Sequence, residues 1–98
     1  MSKRHLYKVT FYNQGRVYEI FAKKVAPGEL YGFIEIADFQ FNELTELIVD
    51  PSEEKLKNEF ANVERCQIPM HAVIRIDEVK KLGASKIKFL EGKETNIT

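Results

Sequence analysis

Residues 5–25 read HLYKVTFYNQGRVYEIFAKKV and contain the pattern that decides the fold. Tyr7, Val9 and Phe11 alternate with polar residues, which is typical of a strand with one buried face. The turn sequence Asn13-Gln14-Gly15 follows, because glycine adopts positive φ freely. In the return segment one face of the predicted strand carries Tyr18, Ile20 and Ala22, and the other carries Val17, Glu19, Phe21 and Lys23. The stretch therefore predicts a β-hairpin with strands at residues 5–12 and 16–25.

The segment after the hairpin is also rich in β-forming residues, but its pattern is irregular. Ala26-Pro27-Gly28-Glu29 has the composition of a type II turn, with proline second and glycine third. In residues 30–41 apolar side chains occupy both odd and even positions. This predicts either a bent strand whose inner face changes or a strand buried on both sides, with Gly32 and Asp38 as candidate bend or bulge positions.

One helix is predicted, and its start is clearly marked. A short strand at residues 44–49 leads into Asp50-Pro51-Ser52-Glu53. Asp50 can cap the helix, Pro51 suits the first helical position, and Glu53 stands where a capping box requires an acid. We expect the helix over residues 51–61, anchored to the sheet by Leu56 and Phe60.

Three more strands are predicted, at residues 63–68, 70–79 and 86–90. Pro69 separates the first two because proline cannot donate a hydrogen bond to a ladder. In the strand at 70–79, alternation predicts an inward set consisting of Met70, Ala72, Ile74 and Ile76. The other face would carry His71, Val73, Arg75, Asp77 and Val79.

These elements predict an α+β fold that is predominantly antiparallel β. Connections are short and strands outnumber the helix, which favours antiparallel pairing over βαβ crossovers. We expect a small, strongly bent sheet or partly open barrel with one short helix across it. The 98 residues suit a single β-rich domain at residues 1–90, followed by a flexible C-terminal tail at 91–98.

Charge is balanced overall but unevenly distributed along the chain. The net charge is zero, yet residues 1–28 sum to +5, residues 29–64 to −8 and residues 65–98 to +3. The molecule has two electrically different faces if the two ends converge, whereas ordinary solvated strands and helices explain the same pattern.

Cys66 is the single cysteine, and the chain shows neither a signal peptide nor a run long enough to span a membrane. We therefore expect a cytoplasmic protein.

No catalytic or metal-binding constellation stands out. His71 and Asp77 share a strand face but would lie about 20 Å apart along the strand, whereas Arg75 and Asp77 are neighbours that can pair. His5, His71 and Cys66 lack the spacing of a metal site, and Cys66 fits core packing better than nucleophilic chemistry. The five glycines form no phosphate-binding loop. We therefore predict no enzymatic activity, no metal and no cofactor.

Two surfaces are candidates for binding. A candidate nucleic-acid surface, in which basic and aromatic residues interleave, consists of Lys8, Arg16, Lys23, Lys24, Lys86 and Lys88. This surface requires the last strand to lie beside the hairpin, and the aromatics of the hairpin are also explained by packing inside the fold. A candidate protein-partner surface, centred on the acidic helix, consists of Glu53, Glu54, Glu59, His71 and Arg75.

The chain also resembles a family of small bacterial cytoplasmic proteins known only as a domain of unknown function. The resemblance covers residues 3 to about 87 and rests on Tyr7-Lys8-Val9, Asn13-Gln14-Gly15, Leu30-Tyr31-Gly32-Phe33, residues 49–56 and residues 68–79. It implies a free-standing domain and carries no activity, substrate or site residue.

The leading hypothesis is a non-enzymatic adaptor or regulatory module that engages another protein. The alternative is a small β-barrel that binds single-stranded nucleic acid, RNA in particular, through the basic N-terminal hairpin and the C-terminal strand. Homodimerisation is compatible with the sequence but not required by it.

Overall fold

A computed structural model describes residues 5–42 and 51–89 of the chain. The elements are β1 (Tyr7–Asn13), β2 (Arg16–Pro27), β3 (Phe33–Gln40), α1 (Pro51–Phe60), β4 (Arg65–Pro69), β5 (Val73–Glu78) and β6 (Lys86–Phe89), with a 3-10 turn at Met70–Ala72. The predicted strand at residues 44–49, the cap Asp50 and the predicted tail at 91–98 lie outside the described residues.

The described strands form one antiparallel sheet in the order β4-β3-β2-β1-β5. The long strand β2 pairs with β1 along one side, and on the other side it pairs first with β6 and then with β3. The sheet does not close, so the predicted α+β fold is confirmed as a bent open sheet. The hairpin is confirmed as well, and its turn has positive φ at Gln14 (56°) and Gly15 (78°).

One face of the sheet, the covered face, forms the core with the helix. Opposed residues of an antiparallel pair share a face, and here Val9 opposes Ile20 while Phe11 opposes Tyr18. These four side chains are buried together with Ala22, Ile34, Ile36 and Ile68 of the sheet and Leu56 and Phe60 of α1. Leu56 and Phe60 therefore anchor the helix as predicted, and α1 ends at Phe60, one residue earlier than expected.

In both β2 and β3 the side chains that point into the core switch from one alternating set to the other partway along the strand. The apolar residues at both odd and even positions of residues 30–41 allow this switch. Ala22 opposes Phe39 toward the core, but three residues further along β2 it is Val25, opposite the buried Ile36, that packs inward. Strict alternation would turn Val25 outward, so the pleat is interrupted between these pairs. The interruption lies at Asp38, whose φ is 61°, which confirms Asp38 as a bend position.

The predicted turn at residues 26–29 is wrong, because β2 continues to Pro27. The chain reverses later, where Phe33 N donates to Leu30 O at 3.1 Å and Gly32 takes φ 80° at the third position of the turn. That position of a type II turn demands positive φ. Both Gly28 and Gly32 could occupy this third position, since glycine adopts positive φ freely. Because β2 and β3 remain paired as far as Pro27 and Ile34, the turn lies at Gly32.

The predicted inward set of the strand at 70–79 is confirmed only in part: Ala72 packs against the core, and Ile76 opposes the buried Val9 and so shares the covered face. Met70 lies in the 3-10 turn, and Ile74 and Ile76 are 45% and 39% exposed. β5 is the outermost of the described strands, so within this part of the chain its side chains have sheet neighbours only on the β1 side. In addition, Thr10 opposes Arg75 but Phe11 opposes Val73, so Ile74 is an extra residue that interrupts alternation. As a result Val73 packs against the core instead.

The opposite side of the sheet, the open face, is covered by the described residues at one end only. The connection from β5 to β6 passes over Phe21, where a Cβ added to Gly83 would lie 3.2 Å from Phe21 Cζ. Phe21 is consequently buried although it points away from the helix. Beyond this crossing, Lys86, Lys88, Arg75 and Tyr12 are exposed.

Candidate functional site

The open face is built from residues that alternate with the buried ones. Its central row runs across four strands, because Thr10 opposes both Arg75 and Glu19, and Glu19 in turn opposes Lys86. A second row contains Asp77, Lys8 and Phe21, and a third contains Tyr12, Val17 and Lys88. The pairing of β6 with β2 therefore brings the basic end of the chain beside the basic hairpin, which is the arrangement the candidate nucleic-acid surface requires.

Three cations of the open face are held by acids on the same face. Lys88 Nζ lies 3.5 Å from Glu19 Oε2, Arg75 Nε lies 3.1 Å from Asp77 Oδ1, and Arg65 NH1 lies 3.9 Å from Glu35 Oε2. The Arg75–Asp77 pair confirms the pairing expected from the sequence. Within residues 5–42 and 51–89, Lys8, Lys24 and Lys86 form no ion pair. These three lysines, one from each of β1, β2 and β6, are the uncompensated positive charge of this face.

Four of the six residues of the candidate nucleic-acid surface lie on the open face: Lys8, Lys24, Lys86 and Lys88. Arg16 does not, because it shares parity with Tyr18 and Ile20 and acts electrostatically on Tyr18. Lys23 lies at the interruption of the pleat and lines a cleft with His5, Gln40 and Lys80. The sequence thus predicted correctly the strands that carry these residues. It could not show where alternation is interrupted, and therefore did not show that Lys23 leaves the open face.

The aromatic residues of the hairpin separate into two groups. Phe11 and Tyr18 pack against each other in the core with ring centroids 5.4 Å apart, and Tyr7 stacks on His5 at 5.9 Å. Tyr12 is different, because it lies on the open face and 48% of its surface is exposed. Packing therefore explains most of these rings, and Tyr12 is available to a ligand.

The candidate protein-partner surface does not form a single patch. Glu53 is buried, and its Oε2 accepts from Ser85 N at 3.2 Å and from Asn42 N at 3.4 Å. Glu54 and Glu59 are exposed on α1, whereas Arg75 lies on the open face and His71 lies in the 3-10 turn. Including Glu53 in an exposed surface is wrong, since its carboxylate joins the end of β3 to the start of β6.

The role of Glu53 is the functional detail that sequence reasoning missed. β2 exchanges its neighbour from β3 to β6 at this point, which leaves backbone N–H groups without a ladder partner. The carboxylate accepts two of them. The sequence offered only the position of Glu53 in the first helical turn, which is equally typical of a capping box.

Glu59 and Cys66 also lie at the rim of the core. Tyr18 OH donates to Glu59 Oε1 at 3.3 Å. Burial raises the pKa of the Tyr18 hydroxyl, and the Glu59 carboxylate raises it further. Burial likewise raises the pKa of the Cys66 thiol, again with help from Glu59. A thiol held in its neutral form is a poor nucleophile, so the arrangement favours packing over chemistry at Cys66.

Residues 5–42 and 51–89 contain neither a metal-binding cluster nor a membrane-spanning helix. This part of the chain contains no group of three or more His, Cys, Asp and Glu side chains placed to hold a metal ion. None of its helices has the length and hydrophobicity of a membrane span.

Comparison with known proteins gives a family but no function. No curated protein matches the chain significantly, and no solved structure does so either. The model of one protein family, described as Domain of unknown function (DUF1820), matches residues 5–98, which is nearly the whole chain. The chain therefore belongs to this family of unknown function.

Proposed function

We propose that this protein is a non-enzymatic binding module that binds single-stranded nucleic acid, RNA in particular, across the open face. The observation that carries the proposal is the placement of Lys8, Lys24 and Lys86 on one face outside the ion pairs that the described residues form, in which the acids Glu19, Asp77 and Glu35 are held by other cations. The sequence alone favoured a protein partner. We rank nucleic-acid binding above protein binding here because the basic residues assemble on one surface, whereas the residues of the candidate protein-partner surface do not.

The spacing of the three lysines suits an extended backbone. Lys8 on β1 and Lys86 on β6 are two strand spacings apart across the sheet, with β2 between them, and are offset by two residues along the strands. This places their Cα atoms about 12 Å apart. Lys24 lies three residues beyond Phe21, which opposes Lys8, so it is about 10 Å further along β2. Flexible ammonium groups at these separations can follow several consecutive phosphates of a single strand.

Tyr12 supplies the second element of such a site. It opposes Val17, which opposes Lys88, so an exposed ring stands in line with a basic side chain. Stacking of a base on an aromatic ring contributes about 1–3 kcal/mol, whichever base it is. The combination of cations and one ring supports binding with little sequence preference.

The test is fluorescence anisotropy with labelled oligo(U) and oligo(dT). The double variant Lys8→Glu/Lys86→Glu should abolish binding, whereas the matched variant Lys55→Glu/Lys57→Glu on α1 should bind like the wild type. The logarithm of the association constant should fall with the logarithm of salt concentration with a slope of about −0.7 per phosphate contact, or about −2 to −3 in all. Equal loss in both double variants, or no salt dependence, would rule the open face out.

A second candidate function is the docking of a protein partner at the turn between β2 and β3. Leu30, Tyr31 and Met70 are 55%, 102% and 52% exposed, and all three line one cleft. Met70 N donates to Gly32 O at 2.8 Å, which holds the 3-10 turn against the β2–β3 turn. An exposed apolar cluster of this kind typically marks a protein contact.

This candidate is tested with a photo-crosslinking amino acid placed at Tyr31 and, as control, at Lys55. A protein partner should give a nuclease-resistant crosslinked band at Tyr31 that Met70→Ser weakens, and no such band at Lys55. Crosslinks of equal strength at both positions, or none, would eliminate the site.

We also propose a cytoplasmic setting in a bacterium. The single Cys66 supports the cytoplasmic part of this proposal, because a thiol with no disulfide partner in its own chain suits a reducing compartment, and the bacterial part rests on the family resemblance alone.

A further inference from the structure

The two end strands of the described order β4-β3-β2-β1-β5 differ in how their outer edges are protected. An exposed edge presents unpaired N–H and C=O groups, and proteins block it with proline, charged side chains, β-bulges or very short strands. At β4, Met70 N donates to Gly32 O, so alternation turns the backbone groups of Arg65, Gln67 and Pro69 outward. Pro69 places a ring there in place of a donor. β5 contains no proline; its extra residue Ile74 precedes the regular register at residues 75–78, and its Arg75 and Asp77 carry charges of opposite sign.

The direction of the free groups on β5 follows from one hydrogen bond. Val79 N donates to Leu6 O at 2.8 Å, in the register that continues from Tyr7 opposite Glu78. Hydrogen-bonded and non-hydrogen-bonded pairs alternate in an antiparallel ladder. Lys8 and Asp77 therefore form a hydrogen-bonded pair, whereas the N–H and C=O of Ile76 and Glu78 point away from β1. No strand of the described chain pairs with them.

The side chains of β5 make this edge complementary to itself. If two β5 strands run antiparallel with Ile76 opposite Ile76 of a second copy, Arg75 of each copy lies opposite Asp77 of the other. The central isoleucines exchange backbone hydrogen bonds, and the charges occupy the flanking non-hydrogen-bonded pairs, where side chains approach most closely. Ile76, which is partly exposed, then gains an apolar neighbour across the junction.

From these observations we infer that the protein forms a two-fold symmetric homodimer in which the β5 strands join the two sheets edge to edge. The occupant of the edge is a second copy because the outward backbone groups, the exposed isoleucine and the alternating charges all match under the same two-fold axis. The inference does not depend on the proposed ligand of the open face.

The first test is the molar mass in solution, measured by sedimentation equilibrium of the full chain over a range of concentrations. The wild type should approach twice 11.4 kDa. Ile76→Pro should give the monomer, because it removes an N–H that faces away from β1 and leaves the ladder to β1 intact. Arg65→Pro, which removes an outward N–H on β4, should remain dimeric. A wild type that is monomeric at every concentration overturns the inference.

The second test does not depend on how proline is tolerated. Arg75→Asp and Asp77→Arg each place like charges opposite one another in the homodimer, so each variant alone should be monomeric. Mixed in equal amounts they should form a heterodimer, because the charges become complementary between copies while neither copy regains its internal Arg75–Asp77 pair. Homodimers in either variant, or failure of the mixture to associate while both chains keep the circular dichroism of the wild type, would contradict the β5 register.

Discussion

The covered face and the open face of the sheet are made by the same strands, yet they carry different kinds of side chain. On β1, Val9 and Phe11 are buried against the helix, while Lys8 and Thr10, which alternate with them, are only partly covered. The covered face is held by apolar packing, and its side chains have little freedom to change. The strands beneath the open face are held together by backbone hydrogen bonds, so the charged side chains of this face are not needed for the fold and are accessible to a ligand. The comparison teaches that stability and binding should respond to different substitutions.

The largest difference is expected from a matched pair of valines. Val9→Ala on the covered face should lower the free energy of unfolding by about 2–3 kcal/mol, because Val9 is fully buried. Val17→Ala on the open face should cost less than about 1 kcal/mol, since Val17 is partly exposed. Chemical denaturation measures both. Equal costs would show that a second core covers the open face.

A smaller effect is expected where the two faces are joined, at Glu53. Glu53→Ala removes the acceptor of Ser85 N and Asn42 N and should cost about 1–2 kcal/mol. Glu54→Ala on the exposed side of α1 should stay within about 0.5 kcal/mol. Hydrogen exchange should show faster exchange of the Ser85 amide in Glu53→Ala only. Unchanged exchange at Ser85 would mean that the carboxylate does not hold β6.

The smallest effect is a pH dependence confined to the rim of the covered face. The pKa values of Tyr18 and Cys66 are raised in the folded protein, by burial first and by Glu59 second. The unfolded chain therefore loses these protons first, and stability falls as pH rises above the ordinary values of 9.0 for the thiol and 10.0 for the hydroxyl. Glu59→Gln should lower both pKa values and weaken this alkaline loss.

The pH dependence is measured by the rate of alkylation of Cys66, the single cysteine, as a function of pH. In Glu59→Gln the rate should rise at lower pH than in the wild type. Glu54→Gln serves as control because Glu54 is not among the groups that act on Tyr18 or Cys66. A profile that shifts equally in both variants would assign the effect to the charge of the helix as a whole.

Much of the covered face could be predicted from the sequence, because alternation is a local property. The hairpin, the bend at Asp38, the helix and its anchors Leu56 and Phe60 all follow from spacing and turn chemistry. The open face depends on which strands become neighbours. Residues 70–79 alternate regularly in the sequence, yet Ile74 and Ile76 are exposed because β5 is an edge strand with an extra residue. The alternation of apolar and polar residues does not by itself distinguish an edge strand from a central one.

The same limit explains the errors at the candidate sites. Glu53 has the position of an exposed helical acid, and only the meeting of β3, β6 and α1 shows that it is buried. Arg16 and Lys8 are both basic residues of the hairpin, but strand parity places them on opposite faces. Parity was visible in the sequence, whereas the pairing of β6 with β2, which gathers Lys86 and Lys88 beside Lys8, was not.

The central claim, that the open face binds single-stranded nucleic acid, is tested most directly by methyl NMR during titration with an oligonucleotide. The account predicts that resonances of Thr10 and Val17 on the open face shift progressively, while those of Ile20 and Ile36 on the covered face stay in place. Shifts that appear first at Ile20 and Ile36, or no shift at any methyl group at low salt, would contradict it.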